Sequence, residues 1–329
     1  MDGREIRVSG DWAGRDVLSL LSALLARESK TRLRRLIAGG LIRVNGKGVS
    51  TGTTVKEGDL ICLPDDVDLG PPPEASLAIE ILREDAAHLV ACKPPGHSVL
   101  PARNGSDRQF YDSLFALLNR LAPQGGPYVR AHIVHRLDRE TSGVLLVAKD
   151  EQASRKLSLQ FQRGTVRKVY FAIIEGVLPR AEVTVEIPLA HSPSSPLEMV
   201  PDERAGKPAT SRVIVRRAFG HFSLVEVHPL TGRQHQIRVH LSAIGYPLAV
   251  DFIYGRRPAL DGRQFNQIVG GQRAAPGRLL LGRCPLHAGE IAYDHPVTDE
   301  RLTAVAPMPD DMTRFISLLS ELDPAVPAA

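Results

Sequence analysis

Nine residues, His135-Arg136-Leu137-Asp138-Arg139-Glu140-Thr141-Ser142-Gly143, constrain this chain more than any other stretch. They place five ionisable side chains within six positions and then run straight into Val144-Leu145-Leu146-Val147-Ala148. An apolar, β-branched run of that length, opened by a glycine, predicts a buried strand. Charges gathered at the mouth of a core strand have two readings. They form a solvated loop, or a rigid scaffold holds a catalytic carboxylate among them.

The 329 residues exceed what one hydrophobic core serves, so two domains are expected. No apolar run reaches the roughly 20 residues a membrane-spanning helix needs. The start, Met1-Asp2-Gly3-Arg4-Glu5, leads into no apolar signal segment. Cys62, Cys92 and Cys284 lie far apart and form no CxxC pair, which points to a reducing, cytoplasmic setting without a disulfide frame. Charge divides the chain further. Residues 1–64 carry 11 Lys and Arg against 7 Asp and Glu, whereas residues 65–77 carry four acids and no base. That acidic stretch contains Pro71-Pro72-Pro73 and reads as a semi-rigid linker, giving expected boundaries of 1–64, 65–77 and 78–329.

In the first segment Leu33, Leu36 and Ile37 fall at helical spacing before Gly39-Gly40, which turns Lys30, Arg34 and Arg35 away from the core. Leu41-Ile42-Arg43-Val44 alternates like a strand, and Asn45-Gly46 signals a type I′ turn back through Lys47-Gly48-Val49. Between Arg27 and Lys47 stand seven basic residues and one acid, Glu28. Such a stripe is either a solvated helix face or a track for a phosphate backbone. The run from Arg32 through Val44-Asn45-Gly46-Lys47, closed by Gly58-Asp59, resembles the S4 RNA-binding domain over about residues 12–64. The resemblance implies a small α/β module that binds RNA through Lys30, Arg32, Arg34, Arg35, Arg43 and Lys47.

Beyond the linker, strands outnumber helices and follow one another in sequence. An α+β fold around a mostly antiparallel mixed sheet is therefore expected. Asp150 is placed to cap a helix ending at Gly164, and residues 209–217 and 222–228 form a hairpin pattern. Thr231 and Gln234 match a capping box for a helix that buries Ile237, Leu241 and Ile244, with Arg233 in its first turn. A cation there opposes the helix dipole, so it calls for an anion nearby or sits exposed at little cost. His235 and His240 are five apart and share no helix face, so no metal site is expected. Tyr170 lies in the strand pattern Lys168–Glu175, where a tyrosine either packs in the core or offers its ring as a stacking platform.

Together these elements resemble the RluA-type pseudouridine synthases. Residues 135–143 match that family's HRLDxxTSG signature. Lys168-Val169-Tyr170 matches its K-x-Y element, and Thr231 through His240 its TGRxHQIRxH element. Leu286-His287-Ala288 and His295-Pro296 match its closing pattern, while Cys92, Leu100 and Val250 depart from it. The resemblance implies a pseudouridine synthase fold with Asp138 as catalytic aspartate, Tyr170 as base-stacking residue and Arg233 as partner of the aspartate. His135 and Arg136 would hold phosphate or fill the space a flipped base leaves. The reaction breaks the C1′–N1 bond of uridine, turns the uracil and joins C1′ to C5. No atom is gained and no redox change occurs, so no cofactor is implied. Large-subunit ribosomal RNA is the favoured partner, with transfer RNA as alternative substrate and a monomeric state expected. A non-catalytic ribosome-assembly protein would not need Asp138, Tyr170 and Arg233 together. A glycoside hydrolase would need a second placed carboxylate, and no second carboxylate motif stands beside this one.

Overall fold

The computed structural model describes residues 4–8, 12–25, 28, 30–64, 67, 77–100, 109–119, 131–195 and 198–322. The acidic linker thus lies, apart from Val67 and Leu77, outside the described residues. Two compact units form, one from residues 1–78 with 109–131 and one from residues 79–108 with 132–329.

The first unit holds β1 (Arg4–Arg7), α1 (Val17–Leu24), α2 (Lys30–Ala38), β2 (Arg43–Val44), β3 (Lys47–Gly48), β4 (Leu60–Leu63) and α3 (Gln109–Asn119). Its four strands pair in the order β1-β4-β2-β3, all antiparallel. Leu33 and Ile37 of α2 are fully buried beside Leu20, Leu21 and Ile61, and Arg34 and Arg35 are exposed, as the helical spacing requires. Asn45 and Gly46 both take positive φ (50° and 72°), the geometry of a type I′ turn. The Asn45 amide also donates to Asp59 and accepts the Leu60 N–H, which ties the hairpin tip to the next turn. The helix α3 falls in the span assigned to the second domain on sequence, yet it groups with this unit, and the Leu77 N–H donates to Ser113 Oγ at 3.0 Å.

The second unit is built on one ten-stranded sheet. Its strands are β5 (Glu80–Glu84), β6 (His88–Lys93), β7 (His132–Ile133), β8 (Ser142–Ala148), β9 (Arg167–Glu175), β10 (Glu182–Glu186), β13 (Thr210–Ala218), β14 (Phe222–Pro229), β17 (Leu286–Asp294) and β18 (Arg301–Val305). Two short hairpins pair β11 (Leu189–His191) with β12 (Met199–Pro201) and β15 (Leu260–Asp261) with β16 (Leu279–Leu281). The helices are α4 (Glu151–Arg163), α5 (Gln236–Ala243), α6 (Gly262–Val269) and α7 (Asp310–Leu322). The order is β10-β13-β14-β9-β17-β8-β6-β5, with β18 on β17 and β7 on β8, and among the described residues the β8–β17 pair alone is parallel. A mostly antiparallel mixed sheet is what the clustering of strands in sequence anticipates.

Every residue of β8 is buried, and Val144, Leu146 and Ala148 pack against Ala153 and Leu157 of α4. Asp150 caps α4 by accepting the Ala153 N–H, and Gly164 ends it in the left-handed region, as expected from sequence. Gly143 is obligatory: its φ is +115°, and a Cβ there would stand 2.1 Å from the Ala288 carbonyl oxygen.

One cluster has the composition of a metal site. Ligand atoms of Asp85, His88 and His295 lie within 4.8 Å of one another. His295 Nδ1, however, accepts the N–H groups of Val297 and Thr298, so its proton resides on Nε2, which donates to Asp85 Oδ2 at 2.8 Å. A nitrogen carrying that proton has no lone pair for a cation. The trio is a hydrogen-bonded clamp between the β5–β6 turn and the end of β17, completed by His88 Nε2 against the Tyr293 hydroxyl at 2.6 Å.

Candidate active site

The residues before β8 form a tight turn, with the Thr141 N–H donating to the Asp138 carbonyl at 3.1 Å. Two buried cations gather the carbonyls of this turn. Lys93 Nζ donates to the carbonyls of Pro94, His97 and Arg139, and Arg283, held by Asp311 through two bonds, donates to that of Glu140. Buried carbonyls must find donors, and these donors are themselves immobilised. The turn therefore has little freedom, and Asp138 is presented from it into a cleft of about 700 Å³.

Asp138 keeps 20% of its side-chain surface exposed and faces Arg238 Nη1 at 3.5 Å and His235 Nε2 at 4.0 Å. Arg238 is 4% exposed and is gripped by Asp251, 1% exposed, through two hydrogen bonds of 2.7 and 2.8 Å. Asp251 in turn accepts the N–H groups of Ile253 and Tyr254. Burial works against both charges. Their mutual hydrogen bonds outweigh it, raising the Arg238 pKa and lowering that of Asp251. Arg238 thus stays cationic with one guanidinium nitrogen left to face Asp138.

His235 precedes α5 in the left-handed region (φ 53°), a conformation costly for a side chain of this size. It is held there by a 2.8 Å bond between Nδ1 and the Tyr254 hydroxyl, which also accepts the Met199 N–H. Burial lowers the His235 pKa even though the charge of Asp138 acts in the opposite direction.

These contacts correct the expected place of Arg233. The helix begins at Gln236, not after Thr231, because Gln236 folds back to accept the Thr231 hydroxyl and the Arg233 N–H. The Thr231–Gln234 capping box is accordingly absent. Arg233 lies before the helix, exposed, with Nε donating to the Pro208 carbonyl at 3.0 Å. The arginine on the aspartate is Arg238, five residues later and buried on all sides.

Tyr170 unites the two readings of its sequence position. It packs against the core that holds Ala172 and Ile174, and it lines the cleft that holds Asp138. Burial, and next the charge of Asp138, raise its pKa, so the phenol stays protonated. Tyr170→Ala should slow single-turnover product formation by roughly ten- to a hundredfold, the loss of a stacking face worth about 1 to 3 kcal/mol, while Tyr170→Phe keeps most of the rate. Rates normalised to folded protein decide this. A variant that melts early yet turns over normally per folded molecule would assign Tyr170 to packing alone.

His135 is used differently from the phosphate-holding role considered for it. Its Nε2 accepts the Leu146 N–H at 2.8 Å, extending the ladder of β7 along β8, and its ring stacks on Phe161 at 4.8 Å. Burial, aided by the charge of Lys168, pushes its pKa down to about 3, so the ring is neutral and offers no charge to a phosphate. The folded pKa lies below the unfolded value of about 6.5. The unfolded chain therefore binds the extra proton between those values, and stability present above about pH 6.5 is lost as pH falls toward 3, by up to about 1.4 kcal/mol per unit. Denaturant titrations between pH 5 and 7 should show a shallower decline for His135→Gln. An unchanged slope would assign the proton uptake to another group.

Arg136 is exposed on the cleft wall. In the first unit Arg34, Arg35, Arg43 and Lys47 are exposed, Arg32 pairs with Glu28 across one helical turn, and the side chain of Lys30 lies outside the described residues. The unit therefore presents a basic surface at the positions read from sequence. Lys93, Arg283, His235, Arg238 and Asp251 went unassigned on sequence. For Arg238 the available signal was its place in the same motif as Arg233.

The fold and the cleft define a class, and comparison with known proteins supplies it. Residues 87–243 match the RNA pseudouridylate synthase family model and residues 18–61 the S4 domain. The chain is 33% identical over 310 residues to ribosomal large subunit pseudouridine synthase D of Neisseria meningitidis, covering 93% of this chain and 79% of that protein. It is 32% identical over 321 residues to synthase C of Vibrio parahaemolyticus, covering 94% and 95%. Human RNA pseudouridylate synthase domain containing 4 superimposes with a TM-score of 0.58 at 27% identity, over 73% of this chain and 92% of that one. The chain belongs to the RluA-type pseudouridine synthase family, and it is an isomerase that converts uridine to pseudouridine in RNA.

Proposed function

We propose that this enzyme modifies uridines of large-subunit ribosomal RNA, that Asp138 is its catalytic group, and that the N-terminal residues 1–64 act as its RNA-capturing domain. The observation that carries the catalytic reading is the ion arrangement at Asp138. A carboxylate in a cleft, faced by a buried arginine already paired elsewhere, is available to C1′ of a nucleotide. Tyr170 lines the same cleft and serves as the face on which the flipped base rests. The relatives named as ribosomal large subunit synthases support the choice of RNA. No described helix is long and apolar enough to cross a membrane. From the three widely spaced free cysteines we place the working protein in the cytoplasm, and we take it to act as a monomer.

Mapping pseudouridines in ribosomal and transfer RNA from cells lacking this protein tests the substrate. The expected result is loss of sites in large-subunit RNA, restored by the parent gene and not by Asp138→Asn; loss confined to transfer RNA would replace the proposed substrate. RNA binding by the first unit is tested separately. The double change Arg34→Ala, Arg35→Ala should reduce the slope of log affinity against log salt by roughly 0.7 to 0.9 for each phosphate contact removed, with the rate at saturating RNA unchanged. An unaltered slope would take α2 out of the interface.

A further inference from the structure

Lys168 enters the same cleft from the strand that carries Tyr170, two residues earlier. Its ammonium lies under the backbone of the β14–α5 loop. Nζ stands 3.5 Å from the Thr231 carbonyl, and a Cβ added at Gly232 would come within 3.9 Å of it. That is the limit of a hydrogen bond, and among the described residues no carboxylate lies within salt-bridge distance of Nζ. Burial alone accounts for the lowered pKa of this lysine, consistent with a cation removed from water without a counter-charge.

This isolation contrasts with the neighbouring cations. Arg136, Arg163 and Arg233 line the cleft too, but all three are exposed and solvated. Arg238 is buried but spent on Asp251 and Asp138. Among the described residues Asp138 is the one acid lining the cleft, and its partner is Arg238. Holding an ammonium in a half-buried position is unfavourable unless an anion completes it. The substrate supplies such an anion wherever its nucleotide goes, because each uridine of an RNA chain is flanked by phosphodiesters.

We propose that Lys168 is a positioning residue that takes the phosphate flanking the target uridine, fixing the sugar so that C1′ faces Asp138 while the base rests on Tyr170. This rests on the reading of Asp138 and Tyr170 given above. Its charge contact is made in a desolvated site, where one N⁺–H···O⁻ bond is stronger than a rim contact in water. Uncharged uridine can enter the cleft, but it leaves Lys168 unpaired.

The test needs no turnover, so its failure is separable from a failure of the catalytic reading, which Asp138→Asn probes. Uridine, uridine 3′-monophosphate and uridine 5′-monophosphate are titrated by ligand-observed NMR into the parent, Lys168→Met and Lys168→Arg. In the parent at least one monophosphate should bind about tenfold or more tightly than uridine. Lys168→Met should keep the uridine affinity, which also reports an intact cleft, and erase the preference; Lys168→Arg should retain part of it. Three results overturn the proposal: a parent that does not distinguish monophosphate from nucleoside, a Met variant that keeps the preference, or a Met variant that loses uridine and monophosphate binding in equal measure. As a second readout, RNA carrying a methylphosphonate beside the mapped uridine should be turned over equally by the parent and by Lys168→Met.

Discussion

Asp138→Asn should yield a folded, RNA-binding protein that forms pseudouridine at less than about one thousandth of the parental rate. Asparagine keeps the shape of the side chain and removes both its charge and the oxygen proposed to act at C1′. The structure indicates why the fold should survive. Arg238 has two carboxylate neighbours, and the short bidentate one is Asp251; the contact to Asp138 is 3.5 Å long and partly wet. Losing the second neighbour leaves the arginine paired, so the change in stability should stay within about 1 kcal/mol. Melting, RNA affinity and product formation are to be measured on one preparation. A stable Asn variant with parental turnover would remove Asp138 from the chemistry.

Asp251→Ala should do the reverse, acting first on stability. It strands a nearly fully buried guanidinium and removes the acceptor of the Ile253 and Tyr254 N–H groups. Breaking one side of such a pair costs roughly 3 to 5 kcal/mol, or about 6 to 20 °C in melting temperature for a domain of this size. Activity should fall as well, because Arg238 would turn wholly to Asp138 and draw it out of line. The double change Asp251→Leu, Arg238→Met provides the control. Replacing both charges with apolar groups should recover most of the lost stability and none of the activity. If the single Asp251→Ala protein melted within about 2 °C of the parent, the clamp would have to be abandoned as a structural element.

The contrast between these two aspartates also marks how far the sequence is readable. Asp138 stands out because its neighbours are locally distinctive: a charged turn, a glycine and a β-branched run that can only be a buried strand. The Asn45-Gly46 turn and the Asp150 to Gly164 helix are legible for the same reason, each resting on contacts a few residues apart. Arg238 is not legible in the sequence, where the motif points to Arg233 as readily. Within α5 every residue from Gln236 to Leu241 is buried, so there is no polar face whose periodicity could set Arg238 apart from its neighbours. The choice is made by Asp251, which reaches Arg238 through tertiary packing and carries no local mark. Lys93 and His135 were opaque for a related reason. Their partners are backbone groups, the carbonyl of Arg139 and the N–H of Leu146, and backbone groups leave no trace in a list of side chains.

The parallel pairing of β8 with β17 bears on how the enzyme is made. A ribosome releases the chain from its N-terminus, so the turn bearing Asp138 and the strand behind it emerge early, whereas the strand that pairs with Gly143 is synthesised near the end. Ser142 and His287, 3.0 Å apart across that seam, are separated by 145 positions of chain. During the interval β8, apolar from Val144 to Ala148, has β6 along one flank and β7 at its far end, but the Ser142–Gly143 end that β17 will take is unpaired, the kind of edge that a nascent chain must shelter from its neighbours. Until residues 283–288 have emerged, the cleft lacks Leu286 and the Asp138 turn lacks the Arg283 clamp. An unfinished copy of this enzyme is therefore unable to modify any RNA it meets, and competence arrives in one step, when the last central strand closes the sheet.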